Sequence, residues 1–344
     1  MSIQITDCTI RDGGYLFQKN TSPEFIKGVM KGLAEAGIDF VETGFLQTNV
    51  TGETLVYKDS ADVRKYLPED RKTTQFLGFC DNSRYSLENL DDYDGKSFQW
   101  LRISFAQHEV DASIAFCAGA KKKGYLVQFN PMDSISYTDG ARAELIEKVN
   151  RVKPASFSIV DTFGAMDMTD LVHIFKQVDG LLDKEIKIGL HSHDNLGLSC
   201  ALAERMIELA EETGRDVIVD GSLFGMGRGA GNAKTELLAD YINKHCGGHY
   251  NLQKLLGTID KYITPVLKDV HWGYDLPMYV CGTKHSHVDN VYHLEKTYGC
   301  TANEMFDIID ALLPQQRTRY GTGYSKTDFS QLDKIYENYR KGGK

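Results

Sequence analysis

Eight short runs rich in β-branched and aromatic residues recur along the first two-thirds of this chain, each followed by a stretch of helical character. The strands read at 3–7, 38–43, 73–79, 99–105, 125–130, 156–161, 186–191 and 217–221. Between the first two, Phe25, Ile26, Val29, Met30 and Leu33 follow the helical period, Ser22 stands where an N-cap belongs, Pro23 takes the first helical position and Gly37 supplies the stop. Strand–helix alternation implies a parallel sheet, because a helical crossover returns the chain in the same direction. Eight is the number at which such a sheet closes into a (β/α)8 TIM barrel. The alternative is an open doubly wound sheet.

The choice decides whether two distant motifs meet. Arg11-Asp12, in the run Thr6-Asp7-Cys8-Thr9-Ile10-Arg11-Asp12-Gly13-Gly14, follows strand one, and His191-Ser192-His193 ends strand seven. In an open sheet these strands usually lie far apart. In a closed barrel only strand eight separates them, and active-site residues gather at the strands' C-terminal ends. Residues i and i+2 of a strand share a face, so both imidazoles can grip one ion while Ser192 turns away. Two neutral imidazoles and a carboxylate suit a divalent cation, Mn²⁺ first, with Mg²⁺, Co²⁺ or Zn²⁺ as alternatives. A lone His-x-His is weak evidence, since such histidines are often merely hydrogen-bonded. The same ligand set serves non-haem iron oxygenases, but nothing else in the chain points to a jelly-roll sheet.

Directly after strand eight comes Asp220-Gly-Ser-Leu-Phe-Gly-Met-Gly-Arg-Gly-Ala-Gly-Asn232. Its glycines permit close backbone approach to a ligand, and Asn232 can return an amide oxygen to the metal. Gly225-x-Gly227-x-x-Ala230 imitates a dinucleotide fingerprint, but it follows the last strand instead of opening a βαβ unit. These parts predict a chemistry. A 2-oxo acid chelates a metal through carboxylate and keto oxygens, and the cation stabilises the enolate formed when the neighbouring C–C bond breaks or forms. Arg11 adds fixed positive charge at the same oxyanion. A Schiff-base aldolase would need a lysine at the barrel mouth. Strand six has none, and Lys187 begins strand seven at the opposite end.

The formal charge of −9 over 344 residues argues against nucleic acid or an anionic membrane as partner. The one basic cluster, Lys121-Lys122-Lys123, ends a predicted helix, where cations are favoured. Seven scattered cysteines without a CxxC pair read as free thiols in a reducing compartment. The N-terminus has neither a basic nor an apolar signal region, and no apolar stretch is long enough for a membrane span. A cytoplasmic, soluble protein is expected, with a homodimer as the default assembly. The division expected is 1–235 for the barrel and 236–344 for a mostly helical region that caps the barrel or mediates association. Lys234–His245, Asn251–Val266, Asn303–Leu313 and Gln331–Arg340 look helical, and 320–325 looks like a loop.

Taken together, the motifs resemble the Asp-Arg-Glu-type TIM-barrel (DRE-TIM) metallolyase superfamily, which is hydroxymethylglutaryl-CoA lyase-like. The segments 190–198, 225–233 and Asp161-Thr162-Phe163-Gly164-Ala165-Met166 are most similar to its 4-hydroxy-2-oxovalerate aldolase branch. The resemblance implies Asp12, His191 and His193 as metal ligands, Arg11 as the enolate-stabilising residue and Thr162 as a hydroxyl contact to the oxo acid. Asn232 matches a ligand of the hydroxymethylglutaryl-CoA lyase branch. Two departures stand out. The aldolases carry a catalytic histidine three residues after the metal aspartate, and this chain has Tyr15, whose ordinary pKa of about 10 makes a poor base. The lyases carry a cysteine in the glycine loop, and none occurs between Gly221 and Gly231.

The leading expectation is therefore a divalent-metal-dependent aldolase acting on a small 2-oxo acid and an aldehyde, with Arg11 and Tyr15 catalytic and Glu42 joining Arg11 and Thr162 at the substrate. The alternatives are a Claisen-type acyltransferase using an acyl-CoA, and a non-catalytic barrel acting as an assembly partner. Arg102, His108, Tyr279, His285 and His287 are weaker site candidates. Aldolase relatives associate with an aldehyde-consuming dehydrogenase through the C-terminal region, which does not closely match here, so that partner is not expected.

Overall fold

The computed structural model describes residues 1–319 and 328–342. The expected 320–325 loop lies outside them. Eight parallel strands, β1 (Ile3–Asp7), β2 (Phe40–Leu46), β3 (Gln75–Asp81), β4 (Trp100–Phe105), β5 (Leu126–Pro131), β6 (Ser156–Asp161), β7 (Lys187–Ser192) and β8 (Val217–Gly221), pair in sequence order. The ring closes where β1 pairs with β8, Ile3 opposite Val217 through Asp7 opposite Gly221, and on its other edge with β2, Thr6 opposite Phe40. The barrel expected from alternation is the fold observed.

Strand β2 runs three residues beyond the expected stop. Gly44, just past that stop, sits at φ +138° in an irregularity between Glu42 and Phe45. A Cβ there would lie 2.6 Å from the Leu55 carbonyl oxygen, so only glycine lets the strand continue past this approach. Phe45 and Leu46 then pair with Val56–Tyr57, a two-residue strand outside the barrel that the sequence did not announce.

Inward residues alternate along each strand, and the interior changes character in steps of two residues. Phe40, Leu77 and Ile218, with Trp100, form an apolar layer at the strands' N-terminal ends. Two residues further along the same strands stand Glu42, Arg102 and Asp220, all buried. Outside, helix Pro23–Ala36 is capped by the Ser22 side chain and Gly37 as expected.

The expected break at 235/236 falls at the start of a helix, Thr235–His245, whose Leu238, Ala239 and Ile242 belong to the barrel's own core. Helix Leu252–Thr258 also packs there, close enough that a Cβ on Gly32 would meet Thr258 at 2.0 Å. A second core gathers Met278, Cys281, Val291, Leu294, Ile308 and Ile309, and Ala230 of the glycine loop joins it. The helices are Leu276–Thr283, Val288–Tyr298, Ala302–Asp310 and Ser330–Arg340. The C-terminal region thus sits against the glycine loop at the barrel mouth. No helix among the described residues is long and apolar enough to cross a membrane.

Candidate metal centre and active site

The chain leaves β1 through a single helical turn, Thr9–Asp12, which carries Arg11 and Asp12 over the mouth. The Asp7 carboxylate accepts from the Thr9 N–H at 2.9 Å and from the Thr235 hydroxyl at 2.6 Å, fixing that turn. Across the mouth, His191 ends β7. His193 lies just beyond the strand and is tied to Asn232 by an isolated antiparallel bridge. Asp12, His191 and His193 each offer a ligand atom within 4.8 Å of the others.

Each candidate ligand is oriented by a second residue. The His191 Nδ1 lies 2.9 Å from the Asp220 Oδ2, which assigns the proton to Nδ1 and leaves Nε2 for a metal. The His193 Nδ1 lies 3.2 Å from the Gly231 carbonyl oxygen, with the same consequence. The Asn232 Nδ2 donates to Asp12 Oδ2 at 2.6 Å, while its buried Oδ1 has no hydrogen-bond partner. An unpartnered buried carbonyl oxygen beside a carboxylate and two imidazole lone pairs fits a hard or borderline divalent cation. Gly227 makes this approach feasible, since a Cβ there would meet Asn232 at 2.2 Å and Asp12 at 2.7 Å.

Charge points the same way. Arg11 donates to Asp12 Oδ1 at 2.6 Å and to Glu42 Oε2 at 2.7 Å. Arg102 contacts Asp220 at 2.5 Å and Glu42 at 3.3 Å, and donates to Gln128. Three buried carboxylates thus share two guanidinium groups, an uncompensated negative charge that a cation would balance. Burial pushes the Asp12 carboxyl up, but Arg11, His193 and His191 outweigh it and hold it well below the usual carboxylate range. Burial pulls His193 down to about 4, against the attraction of Asp12, so its imidazole is neutral at physiological pH.

A pocket of about 80 Å³ opens on this cluster, lined among others by Arg11, Asp12, Tyr15, Thr162, His191 and His193. Arg11 lies 4.5 Å over the Phe79 ring. Tyr15 packs edge-on against Phe45, and burial pushes its hydroxyl pKa up. Thr162 accepts from the Asp133 N–H at 2.9 Å. Asn232 meets Asp12 but is not among the residues lining the pocket. Glu42 is set back from the pocket, and its carboxylate contacts Arg11 and Arg102.

Among the weaker candidates, Arg102 belongs to the barrel ion network, His108 is exposed and Tyr279 is on the surface. His285 pairs with Asp133 at 2.6 Å, and His287 lines the pocket. Three contributors were not singled out from sequence. They are Asp220, Asn195, which joins the Phe163 carbonyl to the Ala230 N–H, and Arg228, which lines the pocket. Asp220 had a signal, an acidic residue closing the apolar strand Val217–Val219. The other two had none, because their roles depend on which loops meet.

Residues 100–261 match the HMGL-like family model. The 4-hydroxy-2-oxovalerate aldolase of Thermomicrobium roseum is 26% identical over 277 residues, covering 77% of this chain and 73% of that protein. The oxaloacetate decarboxylase of Mycobacterium tuberculosis is 25% identical over 71% of this chain and 70% of its own length. The homocitrate synthase of Pyrococcus horikoshii is 26% identical over 73% and 68%. Among solved structures, the N-terminal domain of a putative aldolase from Bacteroides vulgatus superposes with a TM-score of 0.73 at 26% identity, covering 90% of this chain and all of that one. The HMG-CoA lyase of Bacillus subtilis, at 19% identity and a TM-score of 0.62 over 78% of this chain and 94% of its own, shares the fold. With its closed barrel and this residue set, the chain is similar to the HMGL-like family over residues 100–261, and it is a lyase.

Proposed function

We propose that the protein is a divalent-metal-dependent aldolase that cleaves or forms a 4-hydroxy-2-oxo acid. The observation that carries this reading is the Asp12, His191 and His193 cluster with Arg11 2.6 Å from Asp12, at the floor of a small pocket. The aldolase names among its relatives support it, and the enzymatic character of the family sets aside the non-catalytic barrel. Asp12, His191, His193 and Asn232 would hold the metal, Mn²⁺ being suited to such nitrogen and oxygen donors. When bound, the ion supplies Lewis-acid stabilisation of developing negative charge on a 2-oxo acid.

The remaining work falls to side chains. Arg11 cannot swing away, because Glu42 holds its Nε and Phe79 stacks on its plane. Its charge is therefore already in place when an enolate forms, which is what makes such stabilisation effective. Thr162 contributes a hydroxyl for the substrate carboxylate. Tyr15, with its pKa raised, stays protonated and donates a hydrogen bond. Glu42 acts on the substrate through Arg11. The seven unpaired cysteines fit a reducing, cytoplasmic setting.

The test is solvent deuterium exchange into the methyl group of pyruvate, with and without Mn²⁺, in wild type and Asp12→Asn. Exchange requiring both metal and Asp12 is expected. No exchange with pyruvate or 2-oxobutyrate would overturn the reading. The homocitrate synthase relative keeps a second reading in view, condensation of an acyl-CoA with a 2-oxo acid. Release of free thiol from an acyl-CoA donor would favour it.

A further inference from the structure

A 4-hydroxy-2-oxo acid has two halves, and the metal cluster, Arg11 and Thr162 serve the 2-oxo acid half. The rest of the pocket must accommodate the aldehyde half. Much of its lining is apolar, with Phe79, Met132, Val160 and Val288 contributing. Such a wall suits a hydrocarbon chain. Among the described residues lining the pocket, two carry a fixed positive charge, Arg11 and Arg228. Arg11 is engaged with Asp12 and Glu42. Arg228 is the second cation, and enolate formation gives it no task.

Arg228 is carried by the glycine loop and held by the C-terminal region. Its side chain is 26% exposed, so its charge is partly withdrawn from water, which costs free energy unless a partner offsets it. The Asp289 carboxylate is one partner, accepting from Nη2 at 2.8 Å. His287, whose Nδ1 accepts the Asp289 N–H as the cap of helix Val288–Tyr298, lies against the same nitrogen at 3.2 Å. Both contacts fall on Nη2, and they anchor one corner of a planar group that carries five N–H donors. The guanidinium lies 5.5 Å over the Tyr15 ring. Burial and Asp12 raise the Tyr15 pKa, while Arg11, Arg228 and Arg84 pull against them. Lys19 lies 4.7 Å over Phe45, the ring on which Tyr15 packs. Four cations thus gather around Tyr15 and Phe45 in a chain whose net charge is −9. A local field of that sign concentrates anions.

We propose that Arg228 is a specificity-determining residue that pairs with a carboxylate on the aldehyde half, so that the substrate is a 4-hydroxy-2-oxo diacid. The assignment rests on the aldolase reading and deepens it. Guanidinium groups recognise planar carboxylates by charge and by fork geometry together. A phosphate presents more acceptor oxygens and more charge than one arginine matches, and a pocket of about 80 Å³ favours the smaller group. Asp289 is a positioning residue that holds the cation in place before the aldehyde arrives. The carboxylate is bound and not transformed, so the aldol step itself is unchanged.

Condensation of pyruvate with shape-matched aldehydes by the Mn²⁺-loaded protein separates this role from a structural one. Glyoxylate and succinic semialdehyde carry the carboxylate, and 2-methylpropanal and 4-methylpentanal are their neutral counterparts. Wild type should favour at least one acid over its counterpart in kcat/KM by about tenfold or more. In Arg228→Gln that preference should fall by ~10–100-fold, chiefly through KM for the acid. Arg228→Lys, which keeps the charge, should recover part of it. Asp289→Asn cuts the same link to the C-terminal helix but leaves the cation, so the preference should stay within about threefold of wild type. A clasp with no role at the substrate predicts instead that Arg228→Gln and Asp289→Asn damage acid and neutral aldehydes alike. That result would overturn the assignment and leave the aldolase reading intact. So would a wild type that accepts neither acid, prefers the neutral aldehydes, or prefers glycolaldehyde phosphate to both acids. Absence of deuterium exchange into pyruvate would instead remove the aldolase reading, and this assignment with it.

Discussion

The two ends of the barrel interior are built from opposite materials only two residues apart along the same strands. At the N-terminal end Phe40, Trp100 and Ile218 meet with Leu77 in a layer without charge. One step up, Glu42, Arg102 and Asp220 form a buried ion network that reaches Arg11, Asp12 and His191. The apolar layer gains free energy by leaving water, whereas the ionic layer carries a desolvation cost that its pairings must offset. Stability and chemistry are therefore separated along the barrel axis, and the ionic layer is kept because it fixes the residues above it.

That contrast can be broken at four points. The largest effect is expected for Asp12→Asn, which removes a proposed metal ligand and the Arg11 partner together. Turnover should fall by about 10³-fold or more, with metal binding lost by calorimetry, while the apolar layer keeps the protein folded. Phe40→Ala should do the reverse, costing about 3–5 kcal/mol in denaturant unfolding with kcat per folded molecule unchanged. Asp220→Asn spans the two. It should weaken metal affinity by about 10–100-fold through His191 and also destabilise the fold, since Arg102 loses a buried counter-charge.

The smallest effect concerns Asp7, whose carboxyl burial raises to about 7 despite its hydrogen bonds to Thr235 and Thr9. Between its unfolded pKa of about 4 and its folded value of about 7, the folded state binds the extra proton. Its contribution is thus full below pH 4 and lost as pH rises through 7. Asp7→Asn keeps an acceptor for the Thr9 N–H and stays neutral. It should make the protein more stable than wild type at pH 8 by roughly 1–3 kcal/mol, a gain that vanishes near pH 4. A pH-independent difference in urea unfolding would show that Asp7 is not the group titrating.

Most of the barrel was legible because its signals are local. Strand and helix periods, the Ser22–Pro23 start and the Gly37 stop each depend on a few adjacent residues, and they agree with the fold around them. The continuation of β2 past residue 43 was not legible, because what Gly44 admits, a neighbouring carbonyl, is defined only once Leu55 is in place. The expected division at 235/236 meets helix Thr235–His245, whose apolar face only packing assigns to the barrel core. Helix Val288–Tyr298 was missed, and its cap, His287, was read as one histidine among several.

The sequence by itself determined the closed parallel barrel and the residues able to meet at its mouth, because strand count and period constrain topology wherever side chains land. Tertiary structure alone decided that Asp220 orients His191, that Asn232 donates to Asp12 and keeps an unpartnered oxygen, and that Arg228 reaches His287. Those contacts join segments distant along the chain. Their distances are set by strand register and by which loops meet at the barrel mouth, and no local pattern of residue types carries that information.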